Sequence, residues 1–390
     1  MSRVMYSAAT KSLDFTAKLK AKNRLYFAPM GFDLCDNQGK PLPSFFELYQ
    51  SLILGGCGFG FMGNASVDSG SKYNGAGLKL TTQAHADALK PIFEFANKHN
   101  FLLGAQLQHY GPQGAPSDDN PTLLSPSGIA SSATLKKFPY AQTVAMDEAQ
   151  IYACVEQFKR SAILAKKAGA KLLQLQASNG YLISSFLSPR TNQRKDEWGG
   201  SALARVKFLL TIIREIKTAV GDEVALTIRL GVDDGFGEQG QQAHLLGEVA
   251  AAIEEAGASS IACSVGVSET FKQCFSHPQE ILQLTRDASR HLKRYTRLPV
   301  GFTGSVDSLD TAEAIIDSGD ADFVGFARAV LADNALIKKE LSGKHDLVHR
   351  CQWDALCFRD KREPRAERVY CCVNPAYRRP AQLQQYYKEN

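Results

Sequence analysis

The sequence predicts an α/β fold, a (β/α)8 TIM barrel with a long capping insertion after its third strand. Short β-branched and aliphatic runs alternate eight times with longer stretches of helical period, and the length of 390 residues suits one barrel with insertions. Cap signals also stand where those stretches meet. The candidate strands are Leu25–Ala28, Phe59–Asn64, Leu102–Gln106, Leu172–Leu175, Val224–Arg229, Ser260–Cys263, Val300–Thr303 and Phe323–Gly325. The candidate helices are Pro43–Leu54, Gln83–Lys98, Asp147–Ala168, Ala202–Ala219, Gln241–Ala256, Pro278–Lys293, Ser308–Ser318 and Ala329–Leu341. Val206, Leu209, Leu210 and Ile213 recur at three and four residues, the spacing of one helix face. Asp147 stands as an N-cap, and Gly169, Gly221, Gly257 and Gly319 follow helices as C-cap glycines. A doubly wound open sheet is the alternative assembly of the same units.

One connection is long. From residue 107 to 146 no clear helix is expected, and Pro112, Pro116, Pro121, Pro126 and Pro139 stand among Ser, Asp and Gly. A cap over the barrel mouth is the expectation, with a floppy insertion as the alternative. The domain organisation is then a single barrel domain, 1–390, with this insertion and a cysteine-bearing segment at 350–378.

Composition bounds the rest. With 44% hydrophobic and 22% charged residues the chain reads as a globular protein with a large core. A net charge of +5 is modest, and no nucleic-acid motif accompanies it. No apolar run is long enough for a membrane helix. Nine cysteines, an odd number in a long chain, favour reduced thiols and a cytoplasmic setting over a disulfide framework. A small-molecule substrate is expected, with no nucleic acid or membrane partner, and a homo-oligomer is left open.

Several ordered motifs point further. Lys22-Asn23-Arg24 precedes Ala28-Pro29-Met30, and Gln106-Leu107 is followed by His109. Gly180-Tyr181-Leu182, Phe186-Leu187-Ser188-Pro189, Asn192, Arg194, Asp196 and Gly199-Gly200-Ser201 form a run, with Arg205 and Phe208 beyond it. Asp322, Val324 and Arg328 follow, with Ala327 before the arginine. From about Leu19 to Pro375 these pieces resemble the Old Yellow Enzyme family of NADH:flavin oxidoreductases.

The resemblance implies FMN as cofactor and NAD(P)H as reductant. It implies that Ala28, Pro29, Met30, Gly31, Asn64, Gln106 and Arg229 meet the flavin. Gly304, Ser305, Gly325, Ala327 and Arg328 lie on the loops after strands seven and eight, where barrels commonly hold phosphate. Arg229 ends the fifth strand, and a fixed cation there stabilises the negative charge that reduction brings to the ring. The resemblance further implies that Gln176 and Asn179 hold a substrate carbonyl, that Tyr181 donates a proton, and that His109 touches substrate. The implied reaction is reduction of an enone-type activated alkene.

Four departures matter. Gln176 stands where the family usually has histidine, so a group able to carry charge near neutral pH is lost. Gly31 replaces a Thr or Cys that usually bonds the flavin, and Pro112 replaces an arginine after the His109 motif. Cys351, Cys357 and Cys371 resemble the iron–sulfur motif of the 2,4-dienoyl-CoA reductase branch, but Asp354 occupies one thiolate position. A degenerate loop holding no metal is expected there, with a zinc or cluster site as the alternative. Two further functions stay open: an FMN-dependent amine or C–H dehydrogenase or demethylase, and a non-redox barrel that binds phosphate-bearing ligands.

Overall fold

The computed structural model describes residues 6–73, 75–117, 121–355, 357 and 369–378. Its centre is a closed barrel of eight strands, each hydrogen-bonded in parallel to the next in chain order. They are β1 (Leu25–Phe27), β2 (Phe59–Ser66), β3 (Leu102–Gln108) and β4 (Leu172–Ala177). The circuit continues through β5 (Ala225–Asp233), β6 (Ser260–Val265), β7 (Val300–Thr303) and β8 (Phe323–Phe326), and β8 returns to β1. The open-sheet alternative is excluded. Such strands are covered on both faces, and all six residues of β4 are buried.

The crossover helices are α1 (Pro43–Ile53), α2 (Gln83–Lys98), α3 (Glu148–Ala168), α4 (Lys207–Val220), α5 (Gly247–Glu255), α6 (Pro278–Leu292) and α7 (Leu309–Asp317). After β8 come Arg328–Ala332 and α8 (Leu336–Leu341). Each lays an apolar stripe on the barrel: α4 buries Phe208, Leu209, Ile212, Ile213 and Ile216. Asp147 caps α3 through a full capping box with Gln150, and Gly169 ends it at φ 106°. Three expected helices are shorter or broken. The one over 202–219 breaks at Val206, the one from Gln241 begins only at Gly247, behind a 3-10 turn, and the one over 329–341 is interrupted between Ala332 and Leu336.

Two features lie outside the expected pattern. An antiparallel hairpin, Leu13–Thr16 with Leu19–Ala21, packs Leu13, Phe15 and Leu19 against Phe59, Leu172 and Phe323, the first residues of three barrel strands. Phe15 meets Phe59 edge-on at 5.0 Å. The hairpin therefore plugs the N-terminal end of the barrel. The insertion also has structure: Thr122–Ser125 pairs in parallel with Gln142–Ala145, and a short helix spans Ser132–Lys137. Its described part is no floppy loop. Arg194 ties it down, Nη1 donating to the carbonyls of Pro126 (2.7 Å) and Met146 (2.6 Å).

Candidate active site

The C-terminal end of the barrel opens into a cavity of about 270 Å³. Twelve expected site residues line it: Pro29, Met30 and Gly31 after β1, Asn64 on β2, Gln176, Asn179 and Tyr181 around β4, Arg229 on β5, Gly304 and Ser305 after β7, and Ala327 and Arg328 after β8. Asp33, Asn179, Ser305 and Trp353 all line it with φ between 55° and 63°, a region that non-glycine residues seldom adopt. Such strain gathers where surrounding structure holds a loop for function.

Two guanidinium groups dominate the electrostatics. Arg229 Nη1 lies 3.5 Å from the carbonyl oxygen of Pro29, and its buried Nε has no hydrogen-bond partner among the described residues. Burial pulls its pKa below the usual arginine value, and Tyr26 and Tyr181 partly offset that. Arg328 sits between the rings of Trp353 (4.4 Å) and Phe275 (5.0 Å), and its buried Nη1 is also without a partner. Buried donors of this kind are costly unless something accepts from them.

The β4 loop carries the polar wall. Asn179 (φ 63°) and Gly180 (φ 78°) are consecutive left-handed residues that turn the chain sharply ahead of Tyr181. A side chain at Gly180 would collide with Gln113 Nε2, built 1.8 Å away. Asn179 Nδ2 donates to the carbonyls of Val265 (3.2 Å) and Gly266 (3.0 Å). Both of its N–H groups are thus committed to backbone, which corrects the expectation that this amide polarises a substrate carbonyl. Gln176 Oε1 accepts from Ser178 Oγ at 2.6 Å, and its Nε2 donates to Asn179 Oδ1 at 3.3 Å, leaving one N–H. Tyr181 meets Tyr110 edge-on, centroids 5.5 Å apart, and Tyr110 stacks on Tyr73. Burial, then Tyr73 and Asp33, push the Tyr181 phenol far above its ordinary value, while Gln108 and Arg229 pull it back.

Four expected residues do not line the cavity. Ala28 is buried in the inner core, its N–H bonded to Phe326 O at 2.8 Å. Gly325 lies inside β8, where an added Cβ would stand 2.3 Å from Thr303 Oγ1 and 2.4 Å from the Tyr26 ring. Its glycine serves core packing. Gln106 is fully buried, Nε2 donating to Gln174 Oε1 at 2.8 Å. β3 runs two residues beyond it, and Gln108, on the same strand face, is the one that bonds Asn64 and faces Tyr181. His109 faces Asp68, Nε2 to Oδ2 3.6 Å, and its Nδ1 accepts from Gly111 N at 3.1 Å.

The site also uses residues no motif announced: Asp33, Tyr73, Tyr110, Ser268, Phe271, Phe275 and Trp353. They come from loops far apart in the chain, so no spacing marks them. Conversely, much of the motif run after Tyr181 is scaffolding. Asn192 Nδ2 bonds Phe186 O and Trp198 O, and Arg205 Nε bonds Leu187 O. Of the 350–378 segment, residues 356 and 358–368 lie outside the described residues. Cys351, Cys357 and Cys371 are described, and among the described residues no three His, Cys, Asp or Glu side chains are arranged to hold a metal ion.

Comparison with known proteins decides the class. Residues 14–346 match the model of the NADH:flavin oxidoreductase / NADH oxidase family. The chain belongs to that family. The chain is 29% identical over 360 residues to the NADH oxidase of Thermoanaerobacter brockii, covering 92% of the chain but 54% of that protein. It thus spans about half the length of that relative. It is 30% identical over 311 residues to the NADPH dehydrogenase of Halalkalibacterium halodurans, covering 80% of the chain and 87% of that protein. Among solved structures it resembles histamine dehydrogenase from Rhizobium sp. 4-9, with 26% identity and a TM-score of 0.81 over 95% of the chain and 53% of that one. The cofactor of this oxidoreductase family is FMN and the reductant NADH or NADPH. The cavity fits FMN. The orphaned Nε of Arg229 and Nη1 of Arg328 are donors suited to the oxygen-rich edge of a flavin and to a phosphate.

Proposed function

We propose that this flavin oxidoreductase takes reducing equivalents from NAD(P)H and reduces an activated, enone-type alkene, with Tyr181 as proton donor. One observation carries this reading: a phenol kept protonated shares a cavity wall with the spare N–H of Gln176 and with the uncompensated guanidinium of Arg229. Arg229 would hold the pyrimidine edge of FMN, Gly304, Ser305, Ala327 and Arg328 its phosphate, and Pro29, Met30 and Gly31 would pack along the ring. Bound FMN supplies the hydride relay from nicotinamide to acceptor.

The protein's own residues do the rest. Gln176 donates its remaining N–H to the acceptor's carbonyl oxygen and draws electron density from the β carbon. Asn179 fixes the Gln176 amide by accepting from it. Tyr181 gives its proton to the α carbon, and its phenolate is reprotonated from solvent through the mouth. The insertion over 107–146 would cap one rim of that mouth through Tyr110, which lines the cavity. All nine cysteines are thiols, which supports a reducing, cytoplasmic setting. Among the described residues no helix is long and apolar enough to cross a membrane.

The visible spectrum tests this. A yellow protein that bleaches anaerobically with NADH or NADPH and recovers with an enone is expected; bleaching without recovery would remove the alkene acceptor. A second reading, an amine dehydrogenase, is favoured by Asp33, whose carboxylate shares the wall with Tyr73, Tyr110 and Tyr181 and suits a cationic substrate. Bleaching by an amine, and not by NAD(P)H, would select it.

A further inference from the structure

A second, wider groove of about 880 Å³ adjoins the cavity and shares Tyr73, Ser268, Phe271, Phe275 and Trp353 with it. Its floor is aromatic, and Phe271 stacks with Phe275 at 5.7 Å and 23°. Its rim is basic. Lys136 and Lys137 come from the insertion helix, Lys272 from the helix Phe271–Ser276 after β6, and the acid among the described lining residues is Asp354. All three lysines are exposed at the rim, and Lys137 lies over the rings of Tyr73 (5.2 Å) and Phe138 (4.8 Å).

We propose that this groove is a separate binding site for a phosphorylated adenosine, the tail that NADPH and coenzyme A thioesters share. The chemistry of the walls selects that ligand. A purine offers a flat face to Trp353, Phe271 and Phe275, and clustered ammonium groups suit several phosphates without the fixed fork of arginine. A carboxylate-tailed molecule would use the lysines and leave the aromatic floor uncovered. Continuity with the inner cavity lets one molecule fill both, with its reactive end beside Tyr181 and its tail outside. The proposal rests on the reading of the inner cavity as the place of hydride exchange, and it places selection between NADPH and NADH, or recognition of a thioester carrier, on the insertion.

Calorimetric titration of the FMN-loaded protein with adenosine 2′,5′-bisphosphate, adenosine 3′,5′-bisphosphate and 5′-AMP tests it. Both bisphosphates are expected to outbind AMP, with affinity falling as salt rises. Tighter binding of the 2′,5′ isomer assigns the groove to NADPH, and tighter binding of the 3′,5′ isomer assigns it to a coenzyme A thioester. The double variant Lys136→Gln/Lys272→Gln should lose about tenfold in bisphosphate affinity with an unchanged flavin spectrum and melting temperature. Trp353→Leu should weaken all three ligands, AMP included. Equal bisphosphate affinity in wild type and double variant, or no binding at millimolar ligand, overturns the groove. Bleaching by NADPH is read separately on the same samples. Normal bleaching alongside lysine-independent binding sinks the groove alone, whereas lysine-dependent binding without bleaching sinks the inner-cavity reading alone.

Discussion

Arg229 and Pro29 face each other across the floor of the cavity, with the guanidinium Nη1 3.5 Å from the carbonyl oxygen and no carboxylate among the described residues compensating the charge. Isolated buried cations are costly, so the cofactor-free protein carries an unfavourable group that a ligand relieves. Arg229→Met should leave the apoprotein's melting temperature unchanged or higher while weakening FMN by about 100-fold, as expected for a lost charged hydrogen bond. Flavin fluorescence titration and melting of the apoprotein read the two effects. A fall in apoprotein stability with FMN affinity intact would contradict the assignment.

Tyr181→Phe separates the two half-reactions. The variant keeps the ring that packs edge-on against Tyr110 and loses only the hydroxyl. Stopped-flow bleaching by NADPH should change less than about threefold, whereas reoxidation by an enone should slow by about 100-fold or more. Because burial holds the phenol up, the wild-type reoxidation rate should stay flat through neutral pH with no tyrosine titration there.

Asp68 gives a pH dependence. His109 donates to it from Nε2, and Gly70 N–H and Gln157 Nε2 donate as well, which together hold its carboxyl well below the ordinary range despite burial. A depressed folded value means the stabilisation is complete above about pH 4 and is lost as pH falls further toward the folded value. Asp68→Asn should cost about 1.5–3 kcal/mol at pH 7, and the gap between its urea midpoint and that of the wild type should narrow steadily as pH falls below about 4. A gap that does not change with pH below that point would assign the loss to packing instead.

Gly325→Ala probes the barrel interior. The new methyl would meet Thr303 Oγ1, on a side chain that lines the cavity, and the ring of Tyr26, which is buried among barrel side chains. Overpacking of about 1–3 kcal/mol is expected, measured as a lower denaturant midpoint with FMN affinity retained. Loss of FMN at unchanged stability would instead return this glycine to the phosphate loop.

The starts of the barrel strands were legible because Leu25, Phe59, Leu102, Leu172, Ser260, Val300 and Phe323 open apolar runs. Their far ends were not. β2, β3, β4, β5 and β6 all extend two to four residues past the expected limit, to Ser66, Gln108, Ala177, Asp233 and Val265. A barrel's mouth is lined by polar side chains, and an apolar pattern stops where that lining starts. The N-terminal hairpin was readable in principle, since Leu13, Phe15 and Leu19 alternate with Asp14 and Lys20. The aromatic residues Tyr73, Tyr110, Phe271, Phe275 and Trp353 were not, because only the closed barrel brings their loops together.

The hairpin wedged under Phe59, Leu172 and Phe323 has a kinetic consequence. With the bottom sealed, the cavity beside Tyr181 is open at the C-terminal end of the barrel. On the proposed reaction, reductant and acceptor would share that entrance in turn, so double-reciprocal plots should run parallel, and each reactant in excess should inhibit by occupying the doorway meant for the other.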